Sequence, residues 1–233
     1  MDDPQIEGII RAIRLADRAG ANRIVDAWAA DSSYESAVLH LLTPALETFG
    51  ELWANSGGES SLAQGYVASK IAEDILAKVL EERQRSHAEA PATKGPVVIG
   101  NVQDDYHPLG RRMITAFLRF SGWEVHDLGV DVSPREFLNK AEAVGARVIG
   151  ASAMMYTTAK NIQALRDEIE RRGLTGRVQL AVGGAVFKLR PELVEAYGGD
   201  GTAASALNAV VLFEDLWNRS LAFTAGTAHA ERP

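Results

Sequence analysis

The 233-residue chain contains no cysteine. That absence removes disulfides, thiolate metal sites and a cysteine nucleophile together, and it fits a reducing compartment. Long apolar runs are also missing. No stretch approaches the roughly 18 uninterrupted apolar residues that span a bilayer. Basic charge is scarce, with 24 Lys and Arg against 31 Asp and Glu and a formal charge of −7. Non-specific nucleic-acid binding needs concentrated positive charge, so no nucleic-acid partner is expected. The opening residues Met1-Asp2-Asp3-Pro4 lack a basic segment followed by an apolar one. No signal peptide and no membrane partner are therefore expected, and the predicted location is cytoplasmic.

What is present divides into two patterns. Residues 4–85 show only helical periodicity. Ile6, Ile9, Ile10 and Ile13 follow the spacing of one buried helix face, and Gly20 is expected to end that helix. Ile24, Val25 and Trp28 mark a second helix. Asp31, Ser32 and Ser33 offer caps for a third, in which Pro44 predicts a kink near Leu41. Gly57-Gly58 breaks the chain before a fourth helix carrying Leu62, Val67, Ile71, Ile75 and Val79. Four amphipathic segments with short connections predict a helical bundle over 1–88.

A poorly patterned stretch follows, and a linker is expected over 89–95. From residue 96 short β-like runs alternate with helical ones: Val97–Val102, a helix near 110–121, Trp123–Leu128, a helix near 134–144, Arg147–Ala153, a helix near 159–172, Val178–Val182 and a helix near 189–197. A weak fifth strand lies near Gly198–Gly201, then a helix near 203–218. Such alternation predicts an α/β, flavodoxin-like doubly wound parallel sheet over 96–219. The small and polar residues 220–233 are expected to form a flexible tail.

The strand-to-helix loops collect the polar residues and glycines. After the first strand come Asp105, His107 and Gly110; after the third, Ser152 and Met154 to Thr158; after the fourth, Gly183 and Gly184. In open α/β sheets these loops share the carboxyl edge, where ligands bind. His107 is open to three readings: a general base oriented by Asp105, a metal ligand whose second ring nitrogen that carboxylate holds, or an exposed histidine without a role. The other histidines, His40, His87, His126 and His229, are scattered, so a metal at His107 would need its remaining ligands from a cofactor such as a macrocycle.

The motif Asp105-Tyr106-His107-Pro108-Leu109-Gly110, then 41 residues (111–151), then Ser152-Ala153-Met154, then 28 residues (155–182), then Gly183-Gly184, resembles the D-x-H-x-x-G, S-x-L and G-G signature of the cobalamin-binding domain. That domain is shared by methionine synthase, corrinoid methyl carriers and several mutases. The helical bundle resembles the cap module that precedes it, with Phe49-Gly50-Glu51-Leu52-Trp53 similar to a segment joining two cap helices.

The resemblance implies a cobalamin cofactor (methylcobalamin or another corrinoid) bound base-off. His107 would be the lower axial ligand to cobalt, in place of the cofactor's dimethylbenzimidazole. Asp105 would be its hydrogen-bond partner, with Thr158 extending the relay. Gly110, Ser152, Gly183 and Gly184 would surround the buried nucleotide tail. Met154 stands where leucine is usual, and Pro108, Arg111 and Arg112 depart from the residues common in methyl carriers. Trp53 would lie on the opposite side of the corrin.

The implied role is a methyl carrier working with methyltransferase partner proteins and a reductive activase, as a monomer or weak homodimer, and not a complete enzyme. The alternative is a cobalamin-dependent regulator, in whose light-responsive members a tryptophan precedes Glu-His. Trp53 matches the former, but Gln64-Gly65 stands in place of the latter.

Overall fold

The computed structural model describes residues 3–55, 62–85, 92–204 and 206–230. The chain divides into two compact units, Met1–Glu89 and Ala90–Pro233.

The first unit is helical: α1 (Pro4–Arg14), α2 (Arg18–Ala30), α3 (Tyr34–Ala37), a π-helical turn (Val38–Leu42), α4 (Thr43–Asn55) and α5 (Leu62–Arg85). Asp3 caps α1 by accepting the Gln5 N–H at 2.8 Å, and Pro4 needs no intrahelical donor at the first position. Gly20 does not end α1. That helix stops at Leu15, and Ala16 turns the chain with φ 55°. Asp17 then caps α2 through the Gly20 N–H at 2.7 Å, and a Cβ on Gly20 would lie 2.1 Å from the capping carboxylate. The glycine accommodates a cap and not a stop.

Pro44 acts on the third helical stretch as its chemistry requires. It has no N–H to offer the carbonyl of His40, and the ladder widens to π spacing over Val38–Leu42 without breaking. Ile9, Ile13, Leu41, Leu42, Ile71 and Ile75 are fully buried in this unit. Arg18 joins α2 to α5 through both oxygens of Asp74, at 2.5 and 2.6 Å. Gly57-Gly58 lies outside the described residues.

The second unit runs β1 (Lys94–Asn101), α6 (Leu109–Phe120), β2 (Trp123–Asp127), α7 (Pro134–Val144), β3 (Val148–Ser152), α8 (Tyr156–Ala159), α9 (Asn161–Arg171), β4 (Gln179–Gly183), α10 (Ala185–Leu189), α11 (Leu193–Ala196), β5 (Gly201–Thr202) and α12 (Ala206–Ala230). All strand pairs are parallel and the order is β2-β1-β3-β4-β5, the flavodoxin-like arrangement. One face packs Phe137, Leu138, Ile162, Leu165 and Phe187 against Ile149 and Leu180. The other packs Leu118, Phe213 and Leu216 against Val97, Ile99 and Trp123.

Three boundaries differ from expectation. β1 begins at Lys94, within the expected linker, because the Thr93 and Lys94 N–H groups both reach the Gly122 carbonyl at 2.9 Å and start pairing with β2 early. The helix expected near 189–197 is two short ones on either side of Pro191, which cannot donate to a helical ladder. The tail expected after 219 is a continuation of α12 to Ala230. Its small hydroxyls are used: Arg147 donates to Ser220 Oγ and Thr224 Oγ1, both at 3.1 Å, and Ser220 is fully buried.

Candidate functional site

Strand register aligns the loops before any side chain is considered. Asn101 of β1 lies opposite Ser152 of β3, and Ser152 lies opposite Gly183 of β4. The three strands therefore end level at the carboxyl edge. Between β1 and β3 the strand order reverses, with α6 leaving toward one face of the sheet and α9 toward the other. Connections that diverge in this way open a crevice at the switch point.

Asp105 fills the base of that crevice and is fully buried. Its carboxylate is surrounded by donors. Oδ1 accepts from Asn101 Nδ2 at 2.9 Å and from the His107 backbone N–H at 3.0 Å. Oδ2 accepts from the Met154 backbone N–H at 2.6 Å and lies 3.1 Å from the Thr158 hydroxyl. That hydroxyl also lies 3.0 Å from the Met155 carbonyl, so its one proton serves one acceptor at a time. A buried carboxylate is tolerated only with such a set of partners. Because the donors come from both loops, Asp105 ties the end of β1 to the end of β3.

His107 stands at the edge of this cluster. Its side chain is 53% exposed, against 0% for Asp105, and Nδ1 faces Asp105 Oδ1 at 3.4 Å, longer than a ring N–H hydrogen bond. Among the described residues its Nε2 makes no hydrogen bond. The ring is thus backed by a fixed carboxylate on one nitrogen and has the other available for a ligand.

A second link fixes the β1 loop to the β2 loop. Asp104 and Asp131 both adopt positive φ, 65° and 57°. Asp131 accepts from the Asp104 N–H and from the Tyr106 hydroxyl, each at 2.8 Å. The backbone N–H first and the phenol second hold the Asp131 carboxyl below its ordinary range, and the same contact pushes the Tyr106 phenol up.

The glycines separate into two kinds. Gly184 has φ 114°, and a Cβ there would fall 1.9 Å from the Ala153 carbonyl oxygen, so the backbone itself demands glycine. Gly110 and Gly183 have ordinary φ, and a Cβ on either would meet nothing within 4 Å. No packing among the described residues accounts for glycine at these two positions on the carboxyl edge. Ser152 is half-buried beside them, and its hydroxyl makes no hydrogen bond among the described residues. Tyr106, Met154 and Met155 are exposed in the loops of this unit, and Tyr156, which opens α8, is exposed beside them.

One available imidazole nitrogen, open space beside glycines and an exposed apolar rim suit a large ligand with apolar surface. Among the described residues no three His, Asp or Glu side chains come together to hold a metal ion. A metal held by His107 therefore takes its other ligands from the group that carries it. A corrinoid meets these conditions.

A family model described as B12 binding domain matches residues 95–211, and a second of the same description matches residues 5–82. The chain belongs to the B12-binding domain family. Its cofactor is cobalamin or a related corrinoid.

Among relatives of this B12-binding protein, a dimethylamine corrinoid protein of Methanosarcina mazei is 36% identical over 141 residues, 60% of this chain and 64% of that one. A corrinoid protein of Desulfitobacterium hafniense is 30% identical over 171 residues, 73% and 77% of the two chains. For the dimethylamine corrinoid proteins of M. mazei and Methanosarcina barkeri the match spans 64% and 56% of the relative's length. The solved monomethylamine corrinoid protein of M. barkeri has the same fold. Its TM-score is 0.70 at 24% identity, over 89% of this chain and 96% of that one.

Of the residues singled out from the sequence, the structure brings together Asp105, His107, Thr158 and Met154, the last through its backbone N–H and not its side chain. Ser152 and Gly183 lie in the strand-end row, Gly184 follows β4, and Gly110 sits in the first turn of α6. Trp53 is in α4, with its side chain outside the described residues. Gln64, where a light-responsive pattern would have Glu, donates to the Arg14 carbonyl at 3.2 Å. Two residues were missed as site members, Asn101 and Arg111. Their signal is a polar residue ending an apolar strand, and an arginine on the apolar face of α6 four residues before Thr115. Among the described residues no helix is long and apolar enough to cross a membrane.

Proposed function

We propose that this B12-binding chain holds its corrinoid with His107 as the lower axial ligand, base-off, and carries a methyl group between partner methyltransferases. The observation that carries the ligand reading is a half-exposed imidazole whose Nδ1 faces a fully buried, four-donor carboxylate at the sheet's switch point. When bound, the corrinoid supplies a cobalt centre that accepts and releases a methyl group.

The protein's own contribution is placement. Asp105 orients the imidazole, and its donors Asn101, Met154 N–H and Thr158 keep the carboxylate from moving toward solvent. Gly110, Ser152, Gly183 and Gly184 line the space for the nucleotide tail.

Support for methyl carriage comes from relatives named dimethylamine and trimethylamine corrinoid proteins. A methanol:cobalamin methyltransferase complex of M. barkeri shares the fold at TM-score 0.51 and 21% identity, and it supports methyltransferases as the partners. A reductive activase would restore the cofactor after adventitious oxidation. The expected state is a monomer or weak homodimer.

Absorption titration with hydroxocobalamin tests the ligand assignment. Stoichiometric binding with a spectrum that changes in His107→Ala is expected, and an identical spectrum and affinity in that variant overturns it. Transfer of a labelled methyl group from a methylated substrate to a thiol acceptor, dependent on this chain together with both methyltransferases, tests the carrier role.

A further inference from the structure

The Asp105 cluster does not end at Asp105. Asn101 is fully buried and its amide is used on both sides. Nδ2 donates to Asp105 Oδ1 at 2.9 Å and to the His107 backbone carbonyl at 3.1 Å, and Oδ1 accepts from Arg111 Nε at 2.8 Å. Arg111 is itself only 5% exposed, and its other guanidinium arm pairs with Asp127 at the end of β2. Asp127 also accepts the Gly129 N–H at 2.9 Å.

A guanidinium has donors and no acceptor, so it fixes which face of the Asn101 amide it meets. With Oδ1 turned to Arg111, Nδ2 must point at Asp105 and at the His107 carbonyl. The opposite amide orientation would set its oxygen against the Asp105 carboxylate and the His107 carbonyl, two acceptor–acceptor contacts, and its NH2 against Arg111. Arg111 excludes that orientation. The His107 backbone is consequently held at both ends: its N–H on Asp105 and its C=O on Asn101.

We propose that Arg111 and Asn101 are positioning residues for the axial imidazole. Arg111 sets the Asn101 amide, and Asn101 sets both the carboxylate behind His107 and the backbone that carries the ring. This rests on His107 being the cobalt ligand. The competing role for Arg111 is purely structural, an ion pair fastening α6 to β2.

The two roles separate by variant. Protein grown on 15N-labelled histidine, loaded with cobalamin and reduced to the Co(II) state, is read by electron paramagnetic resonance for the doublet splitting of a coordinated 15N imidazole, against the triplet that the cofactor's own dimethylbenzimidazole gives, in samples matched for corrinoid content. Arg111→Met and Asn101→Thr are expected to shift the ratio of imidazole-ligated to unligated cobalt by roughly tenfold, the size of effect of one lost charge-assisted hydrogen bond. Arg111→Lys, which keeps a donor for Asn101, is expected to restore most of the splitting. Asp127→Asn, which breaks the ion pair and leaves the Arg111–Asn101 contact, is expected to leave the ratio near that of the unaltered protein.

Equal ratios in unaltered, Arg111→Met and Asn101→Thr protein overturn the proposal. So does a loss in Asp127→Asn as large as in Arg111→Met. If Arg111→Met does not fold, the Asn101→Thr result decides alone. Absence of the 15N doublet in the unaltered protein would be a failure of the His107 assignment and would show itself before any variant is made.

Discussion

Two buried arginines in the C-terminal unit make nearly the same contacts and do different work. Arg166 on α9 donates to the Gly198 carbonyl at 2.6 Å and to Asp200 at 2.7 Å, and Asp200 accepts the Leu180 N–H at 2.6 Å. Among the described residues the two paired side chains otherwise meet only backbone groups, and their contacts stop at the β4–β5 junction. Arg111 on α6 also pairs with an aspartate beside a strand end, but its second arm leads through Asn101 to Asp105 and an exposed imidazole. Burial and charge pairing are the same in both. What tells scaffold from site is where the hydrogen bonds terminate.

The largest expected effect removes the frame that both arginines depend on. Gly184→Ala forces a Cβ onto the Ala153 carbonyl at a positive φ, and the atom it meets is backbone and cannot swing aside. A loss above about 4 kcal/mol is expected in chemical denaturation, since both strain and overlap must be relieved. Preserved stability would mean that the β3–β4 edge is softer than described.

Next comes Arg166→Met, which strands Asp200 beside the sheet and should cost about 3–5 kcal/mol. The folded fraction is expected to bind hydroxocobalamin with an unchanged spectrum. A changed spectrum would erase the contrast between the two arginines.

Smaller in stability and sharper in meaning are Gly110→Ala and Gly183→Ala. Neither new methyl meets an atom of the described residues, so stability in denaturation should stay within about 1 kcal/mol of the parent, with a small gain at Gly110 in the first turn of α6. Corrinoid affinity should nevertheless fall, measured by equilibrium titration. Unchanged affinity would remove these two positions from the site.

The smallest effect concerns pH. Asp131 is held below its ordinary value of 3.8 by the Asp104 N–H and the Tyr106 hydroxyl. Its contribution is therefore fully present above 3.8 and is lost as pH falls through the depressed value. The stability difference between the parent and Asp131→Ala should be constant from neutral pH to about pH 5 and shrink below 3.8. A difference that grows on acidification would contradict the sign.

Much of this was legible in the sequence because it is local. Asp105, His107 and Gly110 share one loop, and the β/α alternation that predicts parallel strands also predicts which ends the three loops occupy. The register row Asn101–Ser152–Gly183 was not legible, since no local pattern states which residues face one another across strands. Arg111 was hidden for a related reason. On a helix wheel an arginine reads as solvated, and only the folded chain brings residues 101 and 127 to its two arms. Ser220 and Thr224 misled in the opposite direction: small and polar, they suggested a tail, while Arg147 lay 73 and 77 residues away in sequence waiting to bond them. Gly20 misled because glycine serves a crowded cap as well as it serves a helix end.

The two kinds of glycine answer to different constraints. Gly184 is required by the backbone it meets, whereas a Cβ at Gly110 or Gly183 would meet no atom among the described residues. If the proposed tail contacts hold, a descendant of this chain released from its cofactor would keep the first and lose the other two to neutral drift. Side chains accumulating at positions 110 and 183 beneath an intact residue 184 would then mark, in sequence alone, the branch on which the corrinoid was given up.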